Sequence, residues 1–212
     1  MKQKTNQLLY AYWNEVRGER MAPRRFEIEP GRIAQILPET FILERVDHAT
    51  YPYRIAGTKL SDQFGVEHRG TNFLSDWIDD DRLTLAQQLD TVCSRGGALI
   101  FDIEAAADER RRATFEFCIL PLIHAGDTVT RAVGACSAID PPAWLGSTRL
   151  WRKRILTHEI RWPDGRPYAV AEKWREHAPI LKTIANARLV RRERRAFRVI
   201  DGGRLPGSDD SN

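Results

Sequence analysis

Cysteine is scarce, with three residues in 212: Cys93, Cys118 and Cys136. They are odd in number, far apart and form no CxxC pair, which excludes a disulfide framework and a structural zinc site of ordinary spacing. Small buried thiols in apolar segments are the expectation. No run approaches the roughly 18 apolar residues of a membrane span. The apolar run in MKQKTNQLLYAYW is too short for an export signal. A cytoplasmic protein without a membrane span is therefore expected. Charge of one sign is not in excess either: 33 Lys and Arg stand against 29 Asp and Glu, a formal net charge of +4. Nucleic-acid binding does not follow from that balance.

Catalytic signatures are also missing. Ser61, Ser75, Ser94, Ser137 and Ser147 lack a GxSxG context. Gly96-Gly97 reads as a helix stop and Gly202-Gly203 lies in the tail, so neither makes a phosphate-cradling loop. The histidines, His48, His68, His124, His158 and His177, show no i, i+4 pair and no cluster with cysteine or carboxylates. The expectation is a protein that is not an enzyme and holds no metal and no cofactor.

What is present is ordinary globular material: 42% hydrophobic and 29% charged residues, enough for one well-packed domain. Leu8, Leu9, Tyr12, Trp13 and Val16 recur at helical spacing and predict an amphipathic first helix ending near Gly18. That stripe suits either a dimer contact or a cover for the protein's own sheet. Pro30 opens a second short helix, carrying Ile33, Ile36 and Leu37, and Pro38 stops it. The period then shortens towards two. Residues 40–46 read as a strand, and Tyr51, Tyr53 and Ile55 alternate with polar or small residues, which predicts one buried face. Between them, residues 47–50 suit a hairpin turn.

A short helix over 58–64 ends at Gly65. Asp79, Asp80 and Asp81 mark the start of a longer helix with Leu85, Leu89 and Val92 on one side, closed at Gly96-Gly97. Three more strands follow, around Leu99, Phe101 and Ile103, around Phe115, Phe117 and Ile119, and over 128–138. The last two are joined by the turn-like His124-Ala125-Gly126-Asp127. This order predicts an α+β domain on one five-stranded antiparallel sheet flanked by helices. Further on, Leu156, His158, Ile160 and Trp162 alternate, residues 180–195 look helical, and 206–212 are polar.

Several phrases carry a resemblance. The stretch 9–13 with Gly18, Arg20, Pro23 and Arg25 is one. Arg54-Ile55-Ala56-Gly57-Thr58, followed by Leu60, Phe64-Gly65, Arg69-Gly70 and Phe73, is a second. Phe115-Glu116 with Leu120-Pro121-Leu122, then Trp144-Leu145-Gly146, complete the set, and Arg198-Val199-Ile200-Asp201-Gly202-Gly203-Arg204 resembles the tail of some members. In this order they resemble a subgroup of single-domain PAS proteins from alphaproteobacteria, over roughly residues 8–146.

The resemblance implies a PAS-like fold with an N-terminal helical cap (1–38), a core (39–146) and a basic C-terminal extension (147–212) with a disordered end. It implies a stand-alone sensory or regulatory domain in bacterial signalling, acting through a protein partner or a homodimer. A small ligand could gate it, held between sheet and helices. Phe41, Tyr53, Phe64, Phe73, Trp77, Phe101 and Phe117 are the pocket candidates, set against the simpler reading of a filled core. Arginines gather at 110–112, 149–154 and 188–198, where solvated faces are the ordinary reading. Arg191, Arg192, Arg194 and Arg195 are candidates for partner or phosphate contact, and they carry the alternative of a nucleic-acid-associated regulator.

Overall fold

The computed structural model describes residues 1–169, which fall in one contact unit. The region 180–195, the four arginine candidates in it, and the polar end at 206–212 lie outside the described residues. In chain order the elements are α1 (Lys4–Arg17), 3-10 turns at Arg25–Glu27 and Pro30–Glu39, β1 (Thr40–Glu44), β2 (Tyr53–Ala56), α2 (Thr58–Phe64), α3 (Asp79–Arg95), β3 (Ala98–Ala106), β4 (Arg112–Ala125), β5 (Thr128–Ile139) and β6 (Arg152–Arg161). Local chemistry places the ends. The three aspartates occupy the first turn of α3, and Gly96 closes it in the left-handed region at φ 75°. The segment opened by Pro30 is wound as 3-10 turns and runs past Pro38 to Glu39, with Ile33 leaving helical geometry.

The strands form one antiparallel sheet in the order β2-β1-β5-β4-β3-β6. Six strands replace the five expected. The sixth comes from a segment dominated by arginine, whose outer face is solvated, so its apolar alternation is incomplete.

Both faces of the sheet are covered. One set of alternating residues, including Phe41, Leu43, Phe101, Ile103, Phe115, Phe117 and Cys136, packs under α2, α3 and the connection between them. The interleaved set, including Ile42, Ile100, Cys118, Leu120, Val133 and Ala135, packs under α1 and the 3-10 turns. The apolar stripe of α1 therefore covers its own sheet: Leu9, Tyr12 and Trp13 are buried there, and Trp13 donates its indole N–H to the Pro121 carbonyl at 2.8 Å. Burying a side chain such as Leu9 is worth about 1.5–3 kcal/mol.

The start of α1 lacks a side-chain cap of its own. Buried Glu116 of β4 takes that role, accepting from the backbone N–H groups of Lys2 and Gln3 and from the Asn6 amide.

Register shifts break the two-residue period in three of the strand pairs, and those of β1–β2 and β3–β6 bear on the site. Ile42 pairs with Ile55 but Leu43 with Tyr53, so Arg54 is an extra residue and Tyr53 and Ile55 point to opposite faces. Tyr51 and Tyr53 are buried while Ile55 is 49% exposed, which corrects the single buried face expected for that strand. Likewise Asp102 pairs with Thr157 and Ile103 with Ile155, which makes Leu156 the extra residue on β6.

Candidate functional site

The seven aromatic candidates come together in one layer. Phe41, Tyr53, Phe101 and Phe117 rise from β1, β2, β3 and β4, while Phe64 ends α2 and Phe73 and Trp77 lie on the connection to α3. Phe101 stacks on Phe117 at 5.1 Å, Phe41 on Phe73 at 6.0 Å, and Phe64 on Phe115 at 4.6 Å. Tyr53 meets Phe41 edge-on at 5.6 Å, and Trp77 bridges Phe73 at 5.9 Å and Phe101 at 6.1 Å. Trp77, at 5%, is the most exposed of the seven, and its indole N–H is held by the Phe73 carbonyl at 2.8 Å. The rings fill the space between one another, and offset or edge contacts of this kind stabilise beyond their buried area.

Two polar side chains lie inside this apolar layer. Lys153, on β6, is only 5% exposed. Its ammonium lies 5.4 Å from the centre of the Phe64 ring and 5.8 Å from that of Trp77, and it makes no ion pair or hydrogen bond among the described residues. Backbone bonds fix it there: Lys153 N–H donates to the Asp76 carbonyl at 2.8 Å, and its own carbonyl accepts from Ile78 N–H at 3.2 Å. Asp76 makes this possible in the left-handed region at φ 63°, which aspartate tolerates better than most residues.

His68 is 3% exposed and sits edge-on to Tyr53 at 5.0 Å and to Phe64 at 5.5 Å, with Nδ1 unpartnered. A turn aims it inwards, since Thr71 donates both its N–H and its hydroxyl to the His68 carbonyl.

The electrostatics follow from burial. Desolvation pushes the Lys153 ammonium below the usual lysine range, and the Asp76 charge offsets this only in part. The His68 imidazole is pushed down to about 4, by burial first and then by the Lys153 charge. Burial drives the Tyr53 hydroxyl well above its ordinary value. The layer thus disfavours charge, yet carries one amine without an ion pair and one imidazole whose Nδ1 has no hydrogen-bond partner among the described residues.

A surface cavity of about 560 Å³ adjoins this region, at the β3–β4 hairpin end and the start of β6. Arg112 and Arg154 share Glu104 on its wall at 3.1 and 3.0 Å, and the Trp151 indole donates to the Ala107 carbonyl at 2.7 Å. The register sets Glu104, Ala106, Arg152 and Arg154 on the sheet face opposite the rings. Lys153 belongs both to this wall and to the aromatic layer, whereas none of the seven ring candidates lines it. Among the described residues, no group of His, Cys, Asp and Glu is arranged to hold a metal ion.

Outside the layer, 140–151 crosses the end of α2. Leu150 N–H donates to the Phe64 carbonyl at 2.9 Å, and Trp144 and Leu145 pack on the core. Sequence reasoning missed Lys153 because it stands in an arginine-rich run that reads as a solvated face. His68 stands in the sequence beside Arg69 and Gly70, with nothing in the spacing that marks it as buried. The alternation of Leu156, His158 and Ile160 could have pointed to β6, but the bulge at Leu156 shifts the inward face to Lys153 and Ile155.

An antiparallel sheet of central order β2-β1-β5-β4-β3, with α2 and α3 crossing over its aromatic face between β2 and β3, is a PAS-like fold. The family model described as PAS domain matches residues 1–137, more than half of the chain, and the chain belongs to that family. It is thus a sensory or signalling type of domain.

Among solved structures, the LOV protein of Rhodobacter sphaeroides is similar at 11% identity and a TM-score of 0.40, over 55% of this chain and 71% of that one. The PAS domain of a protein from Colwellia psychrerythraea is similar at 10% identity and a TM-score of 0.40, over 51% and 95%. Similarity at this level says nothing of what this chain binds. No curated protein matches the sequence. Among the described residues, no helix is long and apolar enough to cross a membrane.

Proposed function

We propose that this chain is a regulatory module of bacterial signalling that acts by protein–protein contact, is gated by a small molecule held at the aromatic layer, and performs no reaction of its own. The observation that carries the gating is Lys153: a lysine 95% buried, its ammonium resting on Phe64 and Trp77 with no ion pair or hydrogen bond among the described residues and with the Asp76 charge offsetting its burial only in part. An unpaired buried charge is costly, and any molecule that satisfies it shifts the balance between arrangements of the layer. Lys153 also gives that shift a direction. Its backbone is clasped by 76–78, and it lies at the start of β6, from which the chain runs on towards the arginine-rich 188–198. A change at the rings is thereby transmitted to β6, the last strand of the described residues, where a partner or a second copy would read it.

Native mass spectrometry of the protein purified from its own host tests the gating. A small molecule bound at one per chain is expected. Protein that arrives without any bound species, and that no cell-extract metabolite fraction stabilises, contradicts it.

A further inference from the structure

We infer that the 560 Å³ surface cavity is a separate binding site for a free mononucleotide, its phosphate on arginines and its base on Trp151. The inference goes beyond the gating proposed above and does not rest on it, because this cavity lies outside the filled aromatic layer. Where α1 covers the sheet, it packs on Ile100, Cys118 and Leu120. The same face continues past that cover with Glu104, Arg112, Arg152 and Arg154, and Arg112 and Arg154 are half-exposed there.

The arginines are set in place before any ligand arrives. Arg112 and Arg154 share one Glu104 oxygen at 3.1 and 3.0 Å, which leaves most of their N–H donors unused. Arg112 is fixed a second time, by the Glu109 carbonyl at 3.1 Å. The Arg152 guanidinium is exposed and makes no ion pair or hydrogen bond among the described residues. Asp108 does not neutralise this group of charges, because it caps the hairpin turn and pairs with Arg111 at 2.6 Å. Lys153 adds to the wall but turns its ammonium to Phe64 and Trp77. Three guanidinium groups thus stand against two carboxylates, Glu104 and Glu109, and their spare donors match the oxygens of a phosphate.

Trp151 selects the rest of the ligand. It is 52% exposed yet pinned twice, its backbone N–H on the Ala106 carbonyl at 3.1 Å and its indole N–H on the Ala107 carbonyl at 2.7 Å. An indole so held offers a ring surface at little cost in freedom, and any base stacks on such a surface. The Glu109 carboxylate lines the same cavity without a partner among the described residues. It repels a bare anion but accepts from the N–H groups that every base carries. A flat ring, N–H donors and a phosphate together describe a nucleotide, and the cavity lies in the size range of small-molecule sites. A polynucleotide is disfavoured by the chain's net charge of only +4 and by the two acidic residues, Asp108 and Glu109, on the wall.

Isothermal titration calorimetry of the full chain tests the assignment, with AMP and GMP, each beside its nucleoside, and with inorganic phosphate and a short RNA. At least one of the two nucleotides is expected to bind at one per chain, with its nucleoside and phosphate alone about tenfold weaker or more. Trp151→Leu is expected to weaken binding about tenfold. Arg152→Gln is expected to weaken it about fivefold or more at unchanged Tm, because the Arg152 guanidinium has no partner to lose. Mononucleotides that fail to bind at millimolar concentration overturn the assignment. So does a nucleotide that inorganic phosphate matches, or one that binds Arg152→Gln as tightly as the parent. A short RNA that binds where the mononucleotides do not overturns it in favour of a nucleic-acid surface. Arg152→Gln decides the matter even if Trp151→Leu disturbs folding.

Discussion

His68 and Lys153 are the residues whose surroundings conflict most with their chemistry. For His68 the conflict has a measurable sign. Its folded value of about 4 lies below the ordinary 6.5 of an unfolded chain. Between these limits the unfolded chain binds a proton that the folded one refuses. The contribution of neutral His68 is therefore complete above pH 6.5 and is lost as pH falls towards 4, in total about 3 kcal/mol. Urea denaturation across that window should show His68→Phe losing less stability than the parent; parallel curves would mean that His68 is not desolvated as described. The cysteines are the residues where composition alone was a sufficient guide. All three are buried as expected, and burial pushes the Cys93 thiol up to about 12. Lys153 was not legible, because nothing in the run Arg152-Lys153-Arg154 says which of three cations points inwards.

Among the elements, Pro38 did not stop the 3-10 segment it was expected to end, whereas the ends of α1, α2 and α3 were legible, because Gly18, Gly65 and Gly96 and the aspartates of α3 mark them by local chemistry. The bulges at Arg54 and Leu156 were not, since a bulge depends on which partner strand is present and leaves no residue signature of its own in these positions. The bulge at Leu156 decides the candidate site, because it returns Lys153 to the ring-bearing face beside Ala105. The pairing of β1 with β5 offers a test of how tightly the layer is built. Phe41 lies directly across from Gly134, and a Cβ there would come within 2.2 Å of the Phe41 ring. Phe41 has nowhere to go, being wedged against Tyr53, Phe73 and Phe117. Gly134→Ala should therefore cost about 2–3 kcal/mol in a chemical melt; a variant as stable as the parent would show that the ring has room to move.

For the whole molecule, the α+β class and the order of elements followed from periodicity, whereas the double-sided burial of the sheet did not. Alternation shows which residues share a face but not what covers that face. The α1 stripe was compatible with a second copy, and the structure commits it to Cys118, Leu120 and their neighbours. With α1 on one face and the aromatic layer beneath α2 and α3 on the other, β6 at the margin is the strand through which a change at the rings is proposed to pass. The central claim is that occupancy at Lys153 is felt along this strand.

Hydrogen–deuterium exchange tests it most directly, on the protein as purified from its host and again after removal of its bound molecule by partial unfolding and refolding. The account predicts that removal alters exchange in 76–78 and in Arg152–Arg161 while β1, β4 and β5 keep their protection. Exchange that changes elsewhere, with β6 the same in both states, would contradict it.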